Sequence, residues 1–393
     1  MGNHRDTGIV VYGATGYTGR LVVDYMNRQY GVDGEINWAM AGRNLDKLKS
    51  VQDELGIDSR IELIVADMGD KASLKSMVER ASVILTTVGP YQLYGSELVA
   101  ACASAGTDYL DLCGEPAWMK KMIDEHSAAA QNSGARIIFS CGFDSIPFDL
   151  GVFFLQQTAI ARMAKTVSRV KGRVRQMRGS FSGGTLASFN ATMAAAAKDS
   201  QIIEALKDPF ALTGGFVGPS QPKGNKPFFD ETIQSWVAPF IMASINTKNI
   251  HRSNLLLSHQ YGEDFVYDEM LVTGPGDEGE ALANSVANSS GLGDAKLLPG
   301  EGPTATERAE GGFDILMIGE SADGREVRSG VTGDCDPGYC STSKMFAESG
   351  VCLFRNPDIA DGGVWTPAPV FGSQLIRRLR NNAGLTFEDE TLE

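Results

Sequence analysis

The residues best suited to chemistry stand near the start of the chain, where the apolar run Ile9 to Tyr12 leads into Gly13, Gly16 and Gly19 within GIVVYGATGYTGR. Glycines in this order, between a strand and a helix, fit a dinucleotide pyrophosphate. The first allows a tight turn, the second lets backbone N–H groups approach the anion, and the third lets the helix pack on the strand. Gly13, Ala14, Thr15, Gly16, Tyr17, Thr18 and Gly19 are therefore the expected cofactor loop. The second strand, INWAMA, ends in Gly42-Arg43-Asn44 and offers no carboxylate for a ribose 2′-hydroxyl. Arg43 is placed to pair with a 2′-phosphate instead, so NADP(H) is the expected cofactor, with Asn44 beside it. Two readings stay open for Asp67, a contact at the adenine edge or the N-cap of the next helix. Val88, Gly89 and Pro90 suit a loop packed beside the pyrophosphate and nicotinamide ribose, or they simply end a strand.

Catalytic groups are less sharply marked. The loops after the fourth, fifth and sixth strands carry VGPYQLYG, DLCGE and SCGFDSIPFDLG, and all three would line one crevice at the strand C-termini. Tyr91, Tyr94, Glu115 and Asp144 are the candidate proton donors, with Cys113 also at hand; for each, a satisfied structural polar group is an equally good reading. No tyrosine has a lysine four residues on, the spacing by which an ammonium lowers a phenol pKa, and Tyr339 to Lys344 is one residue too long. The short-chain dehydrogenase mechanism is disfavoured. With four histidines and no paired CxxC, a metal centre is not expected.

These loops need a sheet to hold them. Short apolar runs at Ile9 to Tyr12, Ile36 to Ala41, Ile61 to Val65, Val83 to Thr87, Tyr109 to Leu112 and Arg136 to Ser140 alternate with segments of helical period. That is the pattern of an α/β, Rossmann-type doubly wound parallel sheet. Past Pro147 the runs Val167 to Phe181, Phe265 to Val272 and Phe313 to Val331 alternate polar and apolar residues, which predicts an antiparallel or mixed sheet in an inserted α+β second domain. Residues 273–312 are polar and glycine-rich and read as a mobile surface excursion with at most one helix, Glu278 to Asn288. The expected division is a nucleotide-binding domain over 1–148, a substrate or dimerisation domain over 149–338, and C-terminal helices over 339–393 packing back on the first.

A chain of 393 residues, 42% hydrophobic, can bury a large core, and more than one ordinary domain is expected. Lys+Arg of 35 against Asp+Glu of 49 gives a net charge of −14, the wrong sign for tracking phosphate backbones, so nucleic acid is not an expected partner. The six cysteines are scattered and MGNHRDTG reads as no targeting signal, so a reducing cytoplasm is the expected setting. The apolar segment Trp236 to Ile245 contains Pro239 and is about half the ~20 residues a membrane helix needs. Its Trp236, Val237, Phe240, Ile241 and Met242 could line a lipid tunnel or a dimer interface, or be ordinary core. A peripheral membrane contact and a homodimer stay open.

Taken together, GATGYTG, AGRN, VGPYQLYG, YLDLCGE, GFDSIPFDLG, Arg252-Ser253-Asn254 with Tyr261, Gly262, Phe265 and Tyr267, DPGY and GGVWTPA resemble the saccharopine dehydrogenase-like oxidoreductases, and within them the trans-acting enoyl reductase branch. The matches run from Gly8 to about Glu388. The resemblance implies an NADP-type Rossmann domain with an inserted α+β domain. It also implies, as in some members, reduction of a double bond in a polyketide-derived lipid intermediate of glycolipid assembly, and it extends to members associated with membranes or lipid bodies. The expected reaction is hydride transfer to the β-carbon of an enoyl-type, lipid-like acceptor, with loop N–H groups or Tyr91 holding an oxyanion and water, Tyr91 or Tyr94 supplying a proton. The alternatives are a saccharopine-type dehydrogenase acting on a C–N bond, which the different glycine loop makes doubtful, and a non-catalytic NADPH-binding sensor or scaffold.

Overall fold

The computed structural model describes residues 5–180, 182–289 and 300–392. Its first half alternates strand and helix: β1 (Thr7–Tyr12), α1 (Tyr17–Tyr30), β2 (Trp38–Gly42), α2 (Leu45–Glu54), β3 (Glu62–Val65), α3 (Lys71–Arg80), β4 (Ala81–Thr86), α4 (Tyr91–Tyr94), α5 (Ser96–Ala105), β5 (Asp108–Leu110), α6 (Pro116–Ser133) and β6 (Arg136–Ile138). β1 and β2 are buried at every position, because helices cover both faces of the sheet. Side chains punctuate the helices. The Asn44 side chain accepts from the Lys47 N–H to cap α2, and that of Asp70 accepts from Ala72 and Ser73 to cap α3.

The chain then enters α7 (Ile146–Met163), β7 (Arg169–Arg178), α8 (Gly183–Ala196), α9 (Ser200–Lys207), β8 (Phe228–Asp230), β9 (Ser235–Pro239), α10 (Ala243–Leu256), β10 (Val266–Gly274), α11 (Gly276–Asn288), α12 (Ala305–Ala309), β11 (Gly312–Glu320) and β12 (Glu326–Gly333). It closes with a π-helical turn at Pro337–Ser341, α13 (Thr342–Arg355), β13 (Gly363–Trp365), α14 (Pro367–Asn382) and β14 (Leu385–Asp389). α7 gives no amphipathic signal because it is buried on nearly every side, and the sequence pattern therefore did not predict it.

The strands form two sheets. One is a parallel seven-stranded sheet in the order β13-β6-β5-β4-β1-β2-β3. Six of its strands match the expected runs; the seventh, β13, comes from the GGVWTPA segment, where three residues are too short for a period to register. The other is a mixed seven-stranded sheet, β14-β12-β11-β7-β10-β9-β8, in which β10 and β7 run parallel and the remaining pairs antiparallel. A single apolar cluster spans both, from Ile9 and Val11 of β1 through Phe346 of α13 and Phe148 of α7 to Ile315 and Met317 of β11.

Two expectations are corrected here. Residues 273–312 are not a loose excursion in their described parts: α11 packs on β9 and β10, and the segment around Gly302 to Arg308 lies against Tyr17. Residues 290–299 of that segment, and Phe181 at the end of the expected strand, lie outside the described residues. The tail also divides. α13 packs on α1 and β4, whereas β14 completes the edge of the second sheet beside β12.

Candidate functional site

The glycine loop is shaped by contact. Gly13 has φ of 92°, and a Cβ there would stand 2.6 Å from Thr87 Oγ1. A Cβ on Gly19 would stand 2.0 Å from the Gly13 carbonyl oxygen, so only glycine lets α1 approach the loop this closely. The N-cap of α1 is Gly16, with no capping side chain, which leaves the N–H groups of its first turn open to an anion. Ala14 is buried beneath the loop. Tyr17 turns outward: its hydroxyl accepts from Arg308 Nη1 at 2.8 Å and donates to the Pro303 carbonyl, while its ring meets Tyr339 edge-on at 5.1 Å.

Arg43 is exposed at the C-terminal end of β2 and has no hydrogen bond or ion pair among the described residues. Thr15 Oγ1 lies close by, 3.9 Å from the place a Cβ would take on Gly42. Asn44 spends its side-chain oxygen on the α2 cap. Asp67 is not a helix cap, a role taken by Asp70; it folds its own turn by accepting from the Gly69 N–H at 2.8 Å. Arg43 and Asp67 both act electrostatically on Tyr12, whose phenol is pushed up to about 12, chiefly by burial and then by Asp67. The residues present thus fit NADP(H), with open N–H groups for a pyrophosphate and an uncommitted guanidinium where a 2′-phosphate would lie.

A cavity of about 350 Å³ opens between the two sheets, reached by Thr18, Thr87 and Gly89 on the nucleotide side. The far wall is largely apolar, with Phe143, Phe189, Met193, Leu206, Ile241 and Met242. The expected apolar segment is therefore split: Ile241 and Met242 line the cavity, whereas Val237 is buried in β9 and Trp236 packs edge-on against Phe229.

The four candidate proton donors separate clearly. Tyr91 has its ring at the cavity, but its hydroxyl donates to the Thr86 carbonyl at 3.2 Å and accepts from the Leu112 N–H at 3.1 Å. Burial, and then Asp111, raise its phenol well above the ordinary value, so it holds a loop rather than offers a proton. Both Glu115 oxygens accept backbone N–H groups, from Tyr91 at 2.9 Å and Gln92 at 2.8 Å. Tyr94 is 48% exposed and does not line the cavity. Cys113 is fully buried, its thiol raised well above the ordinary range by burial and then by Asp111 and Glu115. Asp144 differs from all of these. It faces the cavity, its Oδ1 is sealed without a partner, and burial pushes its carboxyl up to about 7.

Several quoted motifs prove to be joints. Arg252 gives Nη1 to the Leu212 carbonyl at 2.7 Å and Nη2 to that of Val364 at 2.5 Å, tying α10 to β13. Asn254 holds Tyr261 and Gly262. In DPGY, the Asp336 carboxylate accepts from the Tyr339 and Cys340 N–H groups, and Cys335 and Cys340 are joined by a disulfide that the scattered cysteine spacing did not lead us to expect. That turn sets Tyr339 at the cavity wall, where its hydroxyl meets Ser182 and Thr185. Sequence reasoning missed α8 and the start of α10, which brings Ser244 and Ile245, as parts of the cavity wall. Thr185, Ser188 and Thr192, small polar residues at helical spacing on α8, were the available signal.

Residues 9–138 match the family described as the saccharopine dehydrogenase NADP binding domain. The trans-acting enoyl reductase of Mycobacterium ulcerans is 34% identical, over 95% of this chain and 96% of its own. A Mycobacterium tuberculosis protein provisionally given the same name is 36% identical over the same shares. Among solved structures, saccharopine dehydrogenase (L-Glu forming) from Saccharomyces cerevisiae covers 98% of this chain and 100% of its own with a TM-score of 0.50; at 12% identity it is similar in fold alone. Among the described residues, no helix is long and apolar enough to cross a membrane.

Proposed function

Because the chain belongs to the saccharopine dehydrogenase-like, NADP-binding oxidoreductases, we propose that it reduces the conjugated double bond of an enoyl-type acceptor carried on an apolar, lipid- or polyketide-like substrate. The observation that carries this reading is the cavity: an apolar wall, one unpartnered carboxyl, and the nucleotide loop meet in one space. Bound NADPH supplies the hydride. The N–H groups of the glycine loop and the first turn of α1 would hold its pyrophosphate, and Arg43 its 2′-phosphate.

The chain's own part is orientation and a proton. The apolar wall from Phe189 to Met242 holds an acyl chain and excludes water. Once the β-carbon has gained hydride, the double-bond electrons move toward the carbonyl oxygen. Asp144 then releases its proton to the α-carbon, becomes a carboxylate, and regains a proton from solvent water. Tyr91 and Glu115 keep the neighbouring loop in place and transfer nothing.

The test is NADPH oxidation measured across enoyl thioesters of increasing chain length, imines and saccharopine, with product identification. Turnover of long-chain enoyl thioesters to their saturated products is expected. Turnover of imines or saccharopine alone would sink the enoyl reading, as would NADPH binding with no oxidation by any acceptor.

A further inference from the structure

In enoyl reduction the double-bond electrons move toward the acceptor's carbonyl oxygen, and the negative charge that gathers there needs a hydrogen-bond donor. No Lys, Arg or His is among the described residues lining the cavity, and the Tyr91 hydroxyl is committed to Thr86 and Leu112. Several lining hydroxyls are committed as well: those of Thr87, Thr342 and Ser244 donate to the carbonyls of Gly13, Pro337 and Ile241.

One group of three differs. The Tyr339 hydroxyl accepts from the Ser182 N–H, stands 3.0 Å from Thr185 Oγ1, and is hydrogen-bonded by the Ser182 side chain too. Three hydroxyls joined by two such links use two of their three protons, whichever way each link points. One proton is left over, and none of the three hydroxyls donates to a carbonyl or carboxylate among the described residues. Ser182 and Tyr339 are each 4% exposed, whereas Thr185 is half-buried on the cavity side of α8, so Thr185 presents the free proton.

The group stands at the nucleotide end of the cavity. The Tyr339 ring meets Tyr17 of the glycine loop edge-on at 5.1 Å, and Ser188, one turn along α8 from Thr185, has its Oγ 3.7 Å from the place a Cβ would take on Gly89. It is also tied to the loop that carries Asp144: Thr342 Oγ1 accepts from the Phe143 N–H at 3.0 Å and donates to the Pro337 carbonyl at 2.8 Å, two residues before Tyr339. Burial, the largest effect, raises the Tyr339 phenol, so it keeps its proton at neutral pH.

Resting on the enoyl reading above, we propose that Thr185 is a catalytic residue whose hydroxyl donates a hydrogen bond to the acceptor's carbonyl oxygen, and that Tyr339 is a positioning residue that holds Thr185 in that orientation. Neither hydroxyl gives up its proton. As the β-carbon gains hydride, negative charge passes to the carbonyl oxygen and the Thr185 hydrogen bond strengthens. When the α-carbon takes the Asp144 proton, the carbonyl re-forms and the charge passes to the Asp144 carboxylate. Ser188 has no partner among the described residues and is not held in this way.

The first measurement needs no turnover. A long-chain enoyl thioester labelled with ¹³C at the carbonyl is bound to the full-length protein with NADP⁺, which has no hydride to give, and its carbonyl band is followed by infrared difference spectroscopy. The band should move to higher frequency in Thr185→Val, return in Thr185→Ser, and move part of the way in Tyr339→Phe. A bound carbonyl with the same band in Thr185→Val as in the wild type overturns the assignment and leaves the enoyl reading standing; a thioester that does not bind sinks both. If Thr185→Val does not fold, the Tyr339→Phe band decides in the same way. In turnover, kcat should fall about a hundredfold in Thr185→Val, with KM and NADPH affinity unchanged. Tyr339→Phe should lose about tenfold, and the double variant no more than Thr185→Val alone; additive losses overturn the positioning role of Tyr339.

Discussion

At the scale of single residues, Arg43 and Asp144 carry the sharpest expectations. Arg43 has no internal partner to satisfy, so Arg43→Ala costs the fold little and the cofactor much. A charge-assisted hydrogen bond contributes about 1.5–3 kcal/mol, so NADPH binding should weaken by about tenfold to a hundredfold while NADH binding barely changes. Calorimetric titration with both nucleotides checks this, and equal losses would remove Arg43 from the 2′-phosphate. Asp144→Asn preserves shape but carries no transferable proton. It should lower kcat at least a hundredfold, within the range a positioned acid supplies, while leaving NADPH affinity intact. Because burial raises the Asp144 carboxyl, its acid form dominates below about pH 7 and is lost as the pH climbs past it. The wild-type rate should therefore level off on the acid side and decline on the alkaline side; a rate that rises with pH would rule Asp144 out as donor.

At the scale of elements, the β1-loop-α1 unit rests on close approach. Adding a methyl group in Gly19→Ala places a Cβ 2.0 Å from the Gly13 carbonyl, which α1 relieves only by moving off the loop. Overpacking of this kind costs about 1–3 kcal/mol. The variant should melt several degrees lower and show no NADPH-induced rise in Tm, whereas a normal rise would mean that the loop tolerates the displacement. This unit was legible in the sequence because everything that makes it lies in one unbroken stretch from Thr7 to Tyr30: an apolar strand, spaced glycines and an amphipathic helix. β13 was not, because its pairing with β6 joins Gly363 to Arg136 across a gap that no local pattern spans. Asp144 could be named from its loop. The wall opposite it could not, since α8 and the start of α10 reach the cavity only through the way the second sheet is assembled. Tyr91 and Glu115 show the converse: polar residues in the right loop whose hydrogen-bonding capacity the backbone had already claimed.

At the scale of the whole molecule, the nucleotide sheet is finished by a strand that arrives after the entire second sheet except β14 has been built. Residues 1–148 alone would leave β6 as a bare edge and uncover the face of β1 and β4 that α13 packs on. Such an edge is a template for other chains, so this fragment should run as aggregates in size-exclusion chromatography. A monodisperse fragment that binds NADPH would show that the first sheet stands alone. The clasp of Pro303 and Arg308 on Tyr17 has a different consequence. Tyr17 belongs to the nucleotide loop while its two partners sit on the segment leading into β11, so any shift between the two alters both the grip on nucleotide and the exposure of Arg308. Such couplings are reciprocal: a nucleotide that favours the closed clasp must be bound more tightly by it, by the same factor, and trypsin cleavage after Arg308 should slow when the nucleotide is added.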